Sequence, residues 1–352
     1  MNIIEIRRHL HMYPELSNKE FLTQNFIINY LKKLDCKIYT YKTSVIAYFD
    51  NQKKETFAFR CEEDGLPLLE DNDVTYASKN IGVMHGCGHD AHMAICLKLA
   101  DYINENKNIN KYNYALIFQP SEEVYGGSLL TLKNDFFKKH KINYLVALHL
   151  YPKFKRGVIF SNVGPFLSKC IEIDINIKGK NKHIAFNNFD QDVNQIGCKV
   201  VNDIYSYFSL KNNIRFTFGK IVSGNIRNIT SSYFNAKGSL RLFDETKYIE
   251  YKKELLDMIK NQRNIKILFN DQYQTINNNK ELFYKINRVY KIRKAPKQYI
   301  GEDFFAYQKS IKTCYFLLGT GEKNKNLHQS NFSFDEDLLS VGLDFFIKIL
   351  EC

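Results

Sequence analysis

The sequence has no apolar run approaching the roughly 18 residues a membrane span requires, so no bilayer-crossing helix is expected. It does not begin with a basic segment followed by an apolar core. Met1-Asn2-Ile3-Ile4-Glu5 reads as the start of a helix rather than a signal peptide. It has no low-complexity tract of the kind that marks disorder, and its hydrophobic fraction of 44% is enough for a sizeable core. It also lacks a dense arginine patch. The net charge of +12 is carried by lysines scattered among asparagines and tyrosines. That pattern is a solvated surface, not the focused basic face nucleic acid needs, although it is compatible with attracting small anions. The eight cysteines, at 36, 61, 87, 96, 170, 198, 314 and 352, are widely spaced and several sit in apolar patterns. Without a secretion signal they read as buried free thiols, and a cytoplasmic location is expected. A length of 352 residues implies one large domain or two.

The densest chemistry lies at 83–92, Val-Met-His-Gly-Cys-Gly-His-Asp-Ala-His. Cys87 and His89 are separated by one residue in a glycine-softened turn. Asp90 reads as the N-cap of a helix, because Met93, Cys96, Leu97 and Ala100 follow at helical spacing. A thiolate and an imidazole on a rigid turn suit zinc or a similar divalent ion. The alternative is a loop that merely happens to be rich in histidine.

Earlier in the chain, Ser17-Asn18-Lys19-Glu20 has the form of a capping box before a helix with Ile27, Tyr30, Leu31 and Leu34 on one face. His9 and His11 stand beside Arg7 and Arg8, which would repel a cation, so they read as structural. Strand-like runs at 43–49 and 56–60 lead to Arg60-Cys61-Glu62-Glu63-Asp64-Gly65-Leu66-Pro67. Such acidic residues at a strand end are either part of a site or a solvated turn. The apolar strand 114–118 precedes Gln119-Pro120-Ser121-Glu122-Glu123, and Gly126-Gly127 then permits close backbone approach. Paired glutamates on such a turn can divide labour between metal binding and general base, or can simply complement a helix dipole. A strand at 144–148 delivers His149. Cys87, His89, Glu122, Glu123 and His149 thus recur at strand ends and helix mouths in alternating α/β sequence, which favours a converging metal site. His328 lies in a loop rich in glycine and lysine and becomes a candidate only through the others.

From residue 169 the pattern changes. Ile171, Ile173, Ile175 and Ile177 alternate strictly, as in a strand with one buried face. A helix bearing Val201, Ile204, Tyr205 and Phe208, strands at 215–221 and 233–243, a helix at 248–262 and a strand at 265–269 complete a β-α-β-β-α-β order. That is the ferredoxin-like arrangement. The expected architecture is α/β: a catalytic domain over 1–168 and 277–352, with a mixed, largely parallel sheet flanked by helices, and an inserted ferredoxin-like α+β domain over 169–276.

Several ordered motifs resemble the M20 family of metallopeptidases and amidohydrolases, in the branch holding aminoacylases, hippurate hydrolases, auxin-conjugate hydrolases and N-acetyldiaminopimelate deacetylases. They are Arg-Arg-His-Leu-His-Met-Tyr-Pro-Glu-Leu at 7–16, Met-His-Gly-Cys-Gly-His-Asp-Ala-His at 84–92, Ile-Phe-Gln-Pro-Ser-Glu-Glu at 117–123, Ala-Leu-His at 147–149, Gly-Glu-Asp-Phe at 301–304, Leu-His at 327–328 and Phe-Asp-Glu-Asp at 334–337. The resemblance implies that Cys87, His89, Glu123, His149 and His328 hold two divalent ions, with Cys87 bridging, and that Glu122 is the general base. It implies that the insert is a lid and dimerisation domain, in which His183 stabilises the oxyanion and Asn228 and Arg241 contact a substrate carboxylate. Zinc suits the thiolate, while manganese, cobalt or nickel suit the remaining ligands. The implied activity is removal of an N-acyl group, acetyl first, from an amino acid such as N-acetyldiaminopimelate. A general aminoacylase, hippurate hydrolase or dipeptidase is the alternative within enzymes, and a non-catalytic metal- or ligand-binding relative is the alternative outside them. A homodimer through the lid is part of the same expectation.

The chain departs from the family pattern in four places. Asn181-Lys182 replaces two glycines, and Asn187-Asn188 replaces proline-histidine. Arg60-Cys61-Glu62-Glu63-Asp64 replaces Arg-Ala-Asp-Met-Asp, and Ser231 replaces a proline. The metal set is untouched by these changes; the substrate pocket is not.

Overall fold

A computed structural model describes every residue except 107, 110, 188–190 and 322–325, so Asn188 of the altered lid motif lies outside the described residues. The chain forms two compact units. One comprises Met1–Phe166, Ile276–Pro296 and Asp303–Cys352, and the other Leu167–Thr275 and Lys297–Glu302. Sequence patterning had left 297–302 with the catalytic domain. Here Ser168 N–H donates to Ile300 O at 3.0 Å and Leu167 bridges Gln298, which ties the segment to the second unit.

The first unit opens with helices α1 (Ile3–Met12) and α2 (Phe21–Leu31), then strands β1 (Lys37–Tyr41), β2 (Ser44–Phe49) and β3 (Thr56–Glu62). Helix α3 (His89–Glu105), strand β4 (Asn113–Gln119), short helices α4 (Gly127–Thr131) and α5 (Phe136–Lys139), and strands β5 (Tyr144–Tyr151), β6 (Ile159–Ser161) and β7 (Gly164–Leu167) follow. The second unit holds β8 (Lys169–Lys178), α6 (Val193–Ser209), β9 (Arg215–Ser223), β10 (Tyr233–Leu242), α7 (Glu245–Ile259) and β11 (Ile265–Tyr273). The chain returns through β12 (Ile276–Asn278), α8 (Lys280–Val289), β13 (Arg293–Lys294) and β14 (Lys312–Gly319) to α9 (Leu338–Leu350).

The main sheet has the order β1-β2-β4-β3-β5-β14-β6-β13. Its centre, β4-β3-β5-β14, is parallel; β1-β2-β4 at one margin and β14-β6 at the other pair antiparallel, and the outermost β6-β13 pair is parallel. Every residue of β3, β4 and β5 is buried, which explains the apolar runs 57–59, 114–118 and 144–148 within them: both faces of a parallel sheet are covered. Leu10, Ile95, Leu97, Phe345 and Phe346 from α1, α3 and α9 join Phe57, Phe59, Leu116 and Phe118 in one apolar cluster. Each such side chain contributes about 1.5–3 kcal/mol by leaving water. Because the central strands are parallel, their C-terminal ends share one edge, where open α/β sheets place their sites.

The second unit is the ferredoxin-like fold, with sheet order β11-β8-β10-β9 and antiparallel pairings throughout. Ile171, Ile173, Ile175 and Ile177 are buried with Val201, Ile204 and Phe208 of α6 and Tyr251 and Leu255 of α7. The intervening Glu172 and Lys178 are exposed.

Two helix starts differ from the sequence reading. Helix α3 begins at His89 after Gly88, whose φ of 84° only glycine adopts readily. Asp90 is not a cap: it is fully buried, 2.7 Å from Arg7 Nε and 2.8 Å from His11 Nδ1. The Ser17–Glu20 capping box does not form either. Ser17 Oγ donates to Asp64 at 2.7 Å, and Glu20 is the N-cap of α2 but its side chain makes no hydrogen bond that caps the helix. A capping box does form in α1, between Asn2 and Glu5. The eight cysteines are free thiols, and among the described residues no helix is long and apolar enough to cross a membrane.

Gly127 fixes how the Glu122-Glu123 turn meets α4, because a Cβ there would overlap the carbonyl oxygens of Pro120 and Ser121. Gly127→Ala is expected to lower stability by about 1–3 kcal/mol, read as a shift in denaturant midpoint. An unchanged midpoint would show that this turn has room to move.

Candidate metal centre

Five segments of the first unit present side chains at the C-terminal edge of the sheet. The extension of β3 carries Asp64, and the glycine turn entering α3 carries Cys87 and His89. Glu122 and Glu123 follow β4, His149 lies in β5, and His328 lies in the loop after β14. Asp64 joins three of them. Its Oδ1 accepts Glu122 N–H at 3.1 Å and its Oδ2 accepts Glu123 N–H at 3.0 Å, while its carbonyl lies 2.8 Å from His89 Nδ1.

A carbonyl only accepts, so a proton of His89 sits on Nδ1, and Nε2 is the nitrogen left to face a cation. The same reasoning applies to His149, whose Nδ1 lies 2.7 Å from Leu150 O. The bare Nε2 of His149 is 3.4 Å from Cys87 Sγ. His328 Nε2 is 3.2 Å from that sulfur and 3.4 Å from Glu123 Oε1. Cys87-His89-His149 and Cys87-Glu123-His328 therefore form two groups with ligand-forming spacing that share the thiol, and His89-Glu122-Glu123 forms a third.

Two residues that position these groups are in the left-handed region despite having side chains. Ser121 has φ 59° and His328 has φ 62°. Such backbone persists where its surroundings over-determine it. Glu20 Oε1 accepts Ser121 N–H at 2.9 Å, and Gly86 O accepts His328 N–H at 2.9 Å. His328, 53% exposed, is the open member of the set.

The electrostatics call for positive charge. His89 Nε2 and Glu123 Oε1 are buried without hydrogen-bond partners. Burial, then Glu123 and Glu122, push the Cys87 thiol well above its usual range, so a thiolate here requires a cation. Burial works to lower the His89 pKa, but Asp64, Glu62 and Glu123 outweigh it and raise it to about 10, so without a cation the ring is an imidazolium whose Nε2 proton a metal would displace. Burial, then His92, hold His149 well below the usual imidazole value, in the neutral form a metal needs. A thiol, three imidazoles and paired carboxylates whose lone pairs converge fit divalent ions.

The residues assigned to the lid belong to the second unit. His183 is exposed, caps the turn Ile184–Phe186 and accepts Ala185 N–H at Nδ1, 3.3 Å away. It forms an isolated antiparallel bridge with Ile229, and the carbonyl of Asn228 accepts Ile184 N–H at 3.0 Å. Arg241, half-buried in β10, directs a guanidinium N–H at Cys170 Sγ.

Sequence reasoning left several buried polar groups without a role. Arg60 is fully buried and contacts Glu62, Gln119 at 3.0 Å and Asp303 at 2.9 Å. Asp303 also accepts Ser128 N–H at 2.7 Å, so the Gly-Glu-Asp-Phe motif braces α4. Of the two readings of the acidic stretch, the solvated turn is excluded, because Glu62, Glu63 and Asp64 are all buried.

The model of Peptidase family M20/M25/M40 matches residues 58–351. The chain is 27% identical, over 98% of its length and 96% of the relative's, to a Geobacillus thermodenitrificans protein named N-acetyldiaminopimelate deacetylase. Its fold matches a protein of methicillin-resistant Staphylococcus aureus with a TM-score of 0.90 at 25% identity, covering 99% of this chain and 95% of that one. It also matches the Bacillus subtilis YXEP protein, described as a dinuclear metal binding peptidase from the M20 family, with a TM-score of 0.84 at 24% identity, covering 99% and 96%.

Glu63 stands where the resembled pattern has methionine, and both its carboxylate oxygens are buried without hydrogen-bond partners. Burial, then Glu20, Asp64 and Glu15, push its pKa well above the ordinary value. Its stabilising neutral form is complete below the unfolded pKa of about 4.3 and is lost as pH rises through the folded pKa. Glu63→Gln is therefore expected to match the parent near pH 4 and to exceed its stability increasingly above that, by up to about 1.4 kcal/mol per pH unit. Melting temperatures from pH 5 to 9 check this; parallel curves would place Glu63 in a solvated environment.

Proposed function

The chain belongs to peptidase family M20/M25/M40, and from that membership we propose that it is a two-metal amidohydrolase that removes an N-acyl group, acetyl first, from an amino acid. The observation that carries this reading is the pair of ligand groups sharing Cys87 Sγ, with Glu122 grouped beside His89 and Glu123. Cys87, His89, Glu123, His149 and His328 would hold the ions. When bound, two divalent cations polarise the amide carbonyl and bring a water's pKa toward neutrality. Glu122, whose backbone is fixed by Asp64, takes the proton of the attacking water and passes it to the departing amine. His183 would stabilise the oxyanion, a contribution of about 10²–10³ in rate at such sites. Asn228 and Arg241 would hold the substrate carboxylate, for which a permanently charged planar guanidinium is suited.

N-acetyldiaminopimelate is the leading substrate, supported by a relative of that name at 27% identity. The thiolate favours zinc; manganese, cobalt and nickel also accept imidazole and carboxylate. Pairing of two chains through the second unit belongs to the same reading, supported by edge strand β9, which exposes Ile221 and Val222.

Three measurements test these assignments. Glu122→Gln is expected to keep its metal while losing about 10²–10⁴-fold in turnover; undiminished turnover removes Glu122 from the mechanism. Cys87→Ala is expected to bind less metal by elemental analysis, and a full complement would show that the sulfur is not a ligand. Across N-acetyl, N-benzoyl and dipeptide substrates, N-acetyldiaminopimelate is expected to have the highest kcat/KM. Equal turnover of N-acetylmethionine would indicate a general aminoacylase instead.

A further inference from the structure

His92 is the third histidine of the 85–92 motif, and the proposed ligand set leaves it unused. It is 2% exposed, and both of its ring nitrogens are engaged. Its Nε2 accepts Leu150 N–H at 3.0 Å. An acceptor nitrogen carries no proton, so the proton sits on Nδ1, which lies 2.8 Å from Glu62 Oε2 and donates to it. Glu62 is fully buried and held in turn by Arg60. Burial alone would raise the Glu62 pKa, but Arg60 and then His92 hold it well below the usual carboxylate range.

The sheet explains why Leu150 needs this partner. Strand β5 pairs with β14 as far as Tyr151, but with β3 only from Tyr144 to Ala147. Past Ala147 the β3 side of β5 offers no ladder partner, and His92 accepts the N–H there. Leu150 is also the residue whose carbonyl accepts the Nδ1 proton of His149. A continuous run of hydrogen bonds therefore passes from Arg60 to Glu62, His92 and Leu150, and ends on the imidazole whose Nε2 faces Cys87.

We propose that His92, oriented by Glu62, is a positioning residue that fixes the ring of His149 by pinning Leu150 where the β3–β5 ladder stops, and so sets the affinity of the ion held by Cys87, His89 and His149. This inference rests on the metal reading above. Partners behind a metal-binding histidine typically contribute about 10–100-fold in affinity, and His92 acts on His149 through the backbone.

The test is zinc titration of the metal-free full-length chain by calorimetry with a competing chelator, comparing His92→Gln and His92→Asn. A glutamine places its oxygen near the site of Nε2 and keeps an acceptor for Leu150 N–H. An asparagine places its amide near Nδ1, keeping the Glu62 contact and losing Leu150. His92→Asn is expected to weaken one of two binding events by about 10–100-fold and to leave the other nearly unchanged, while His92→Gln stays within about threefold of the parent at both. In a His149→Ala background, His92→Asn is expected to add no further loss, the non-additivity of residues acting as one unit. Parent-like affinity at both sites in His92→Asn, or equal weakening by both substitutions, overturns the positioning role of His92 alone. A parent chain that binds no zinc overturns the metal reading and this inference together.

Discussion

The carboxylate of Asp64 is the constraint on which the site depends. It sits just beyond the end of β3, fully buried, and accepts both backbone N–H groups of the Glu122-Glu123 turn as well as Ser17 Oγ. The same residue's carbonyl accepts the Nδ1 proton of His89 and so orients its ring. One residue thus fixes the spacing between the imidazole of His89 and the two glutamates for which metal binding and proton transfer are proposed. Burial alone would raise the Asp64 pKa, but His89, then Ser17 and the Glu123 amide, hold it lowered and therefore charged.

Around Asp64 the protein buries an unusual amount of charge. Arg60, Glu62, Asp90 and Asp303 are almost wholly inaccessible, as are His11, His89 and His92. Ionic groups in such surroundings add little net stability over apolar residues of the same volume, and removing one partner leaves the other stranded. Their value is geometric. Arg60 bridges the end of β3 to Asp303, which braces α4 behind the glutamate turn. Asp90 bonds α3 to Arg7 and His11 of α1, and so holds the helix whose first residue is His89. Each of these contacts orients a backbone segment that ends at the metal centre.

The sequence revealed those parts of the structure that follow from local pattern. Buried parallel strands read as unbroken apolar runs, and the alternation of Ile171, Ile173, Ile175 and Ile177 marked the start of the second unit at its one-sided sheet. Cys87, His89, Glu122, Glu123 and His149 could be picked out as candidates because they stand at glycine turns and strand exits, whereas His328, in its polar loop, and the division into ligands and base came only from the resemblance. What could not be read depended on partners distant in sequence. Asp90 looked like a helix cap until Arg7 and His11 were seen to claim it, and Ser17 looked like a cap until Asp64 did. The role of His92 depends on where the β3–β5 ladder ends, a property of two strands that no single stretch of sequence displays. The sequence left the acidic run open between a site and a solvated turn, and it did not show that Glu63, alternating with Glu62 and Asp64, turns into a region without a hydrogen-bond partner.

The central claim is that the Cys87 sulfur is shared between two divalent ions. X-ray absorption at the zinc edge of the fully zinc-loaded protein tests it most directly, because sulfur scatters differently from nitrogen and oxygen. The expected spectrum contains a sulfur shell at about 2.3 Å, with an amplitude that requires the one thiolate to serve both ions. A spectrum described by nitrogen and oxygen alone would contradict the claim.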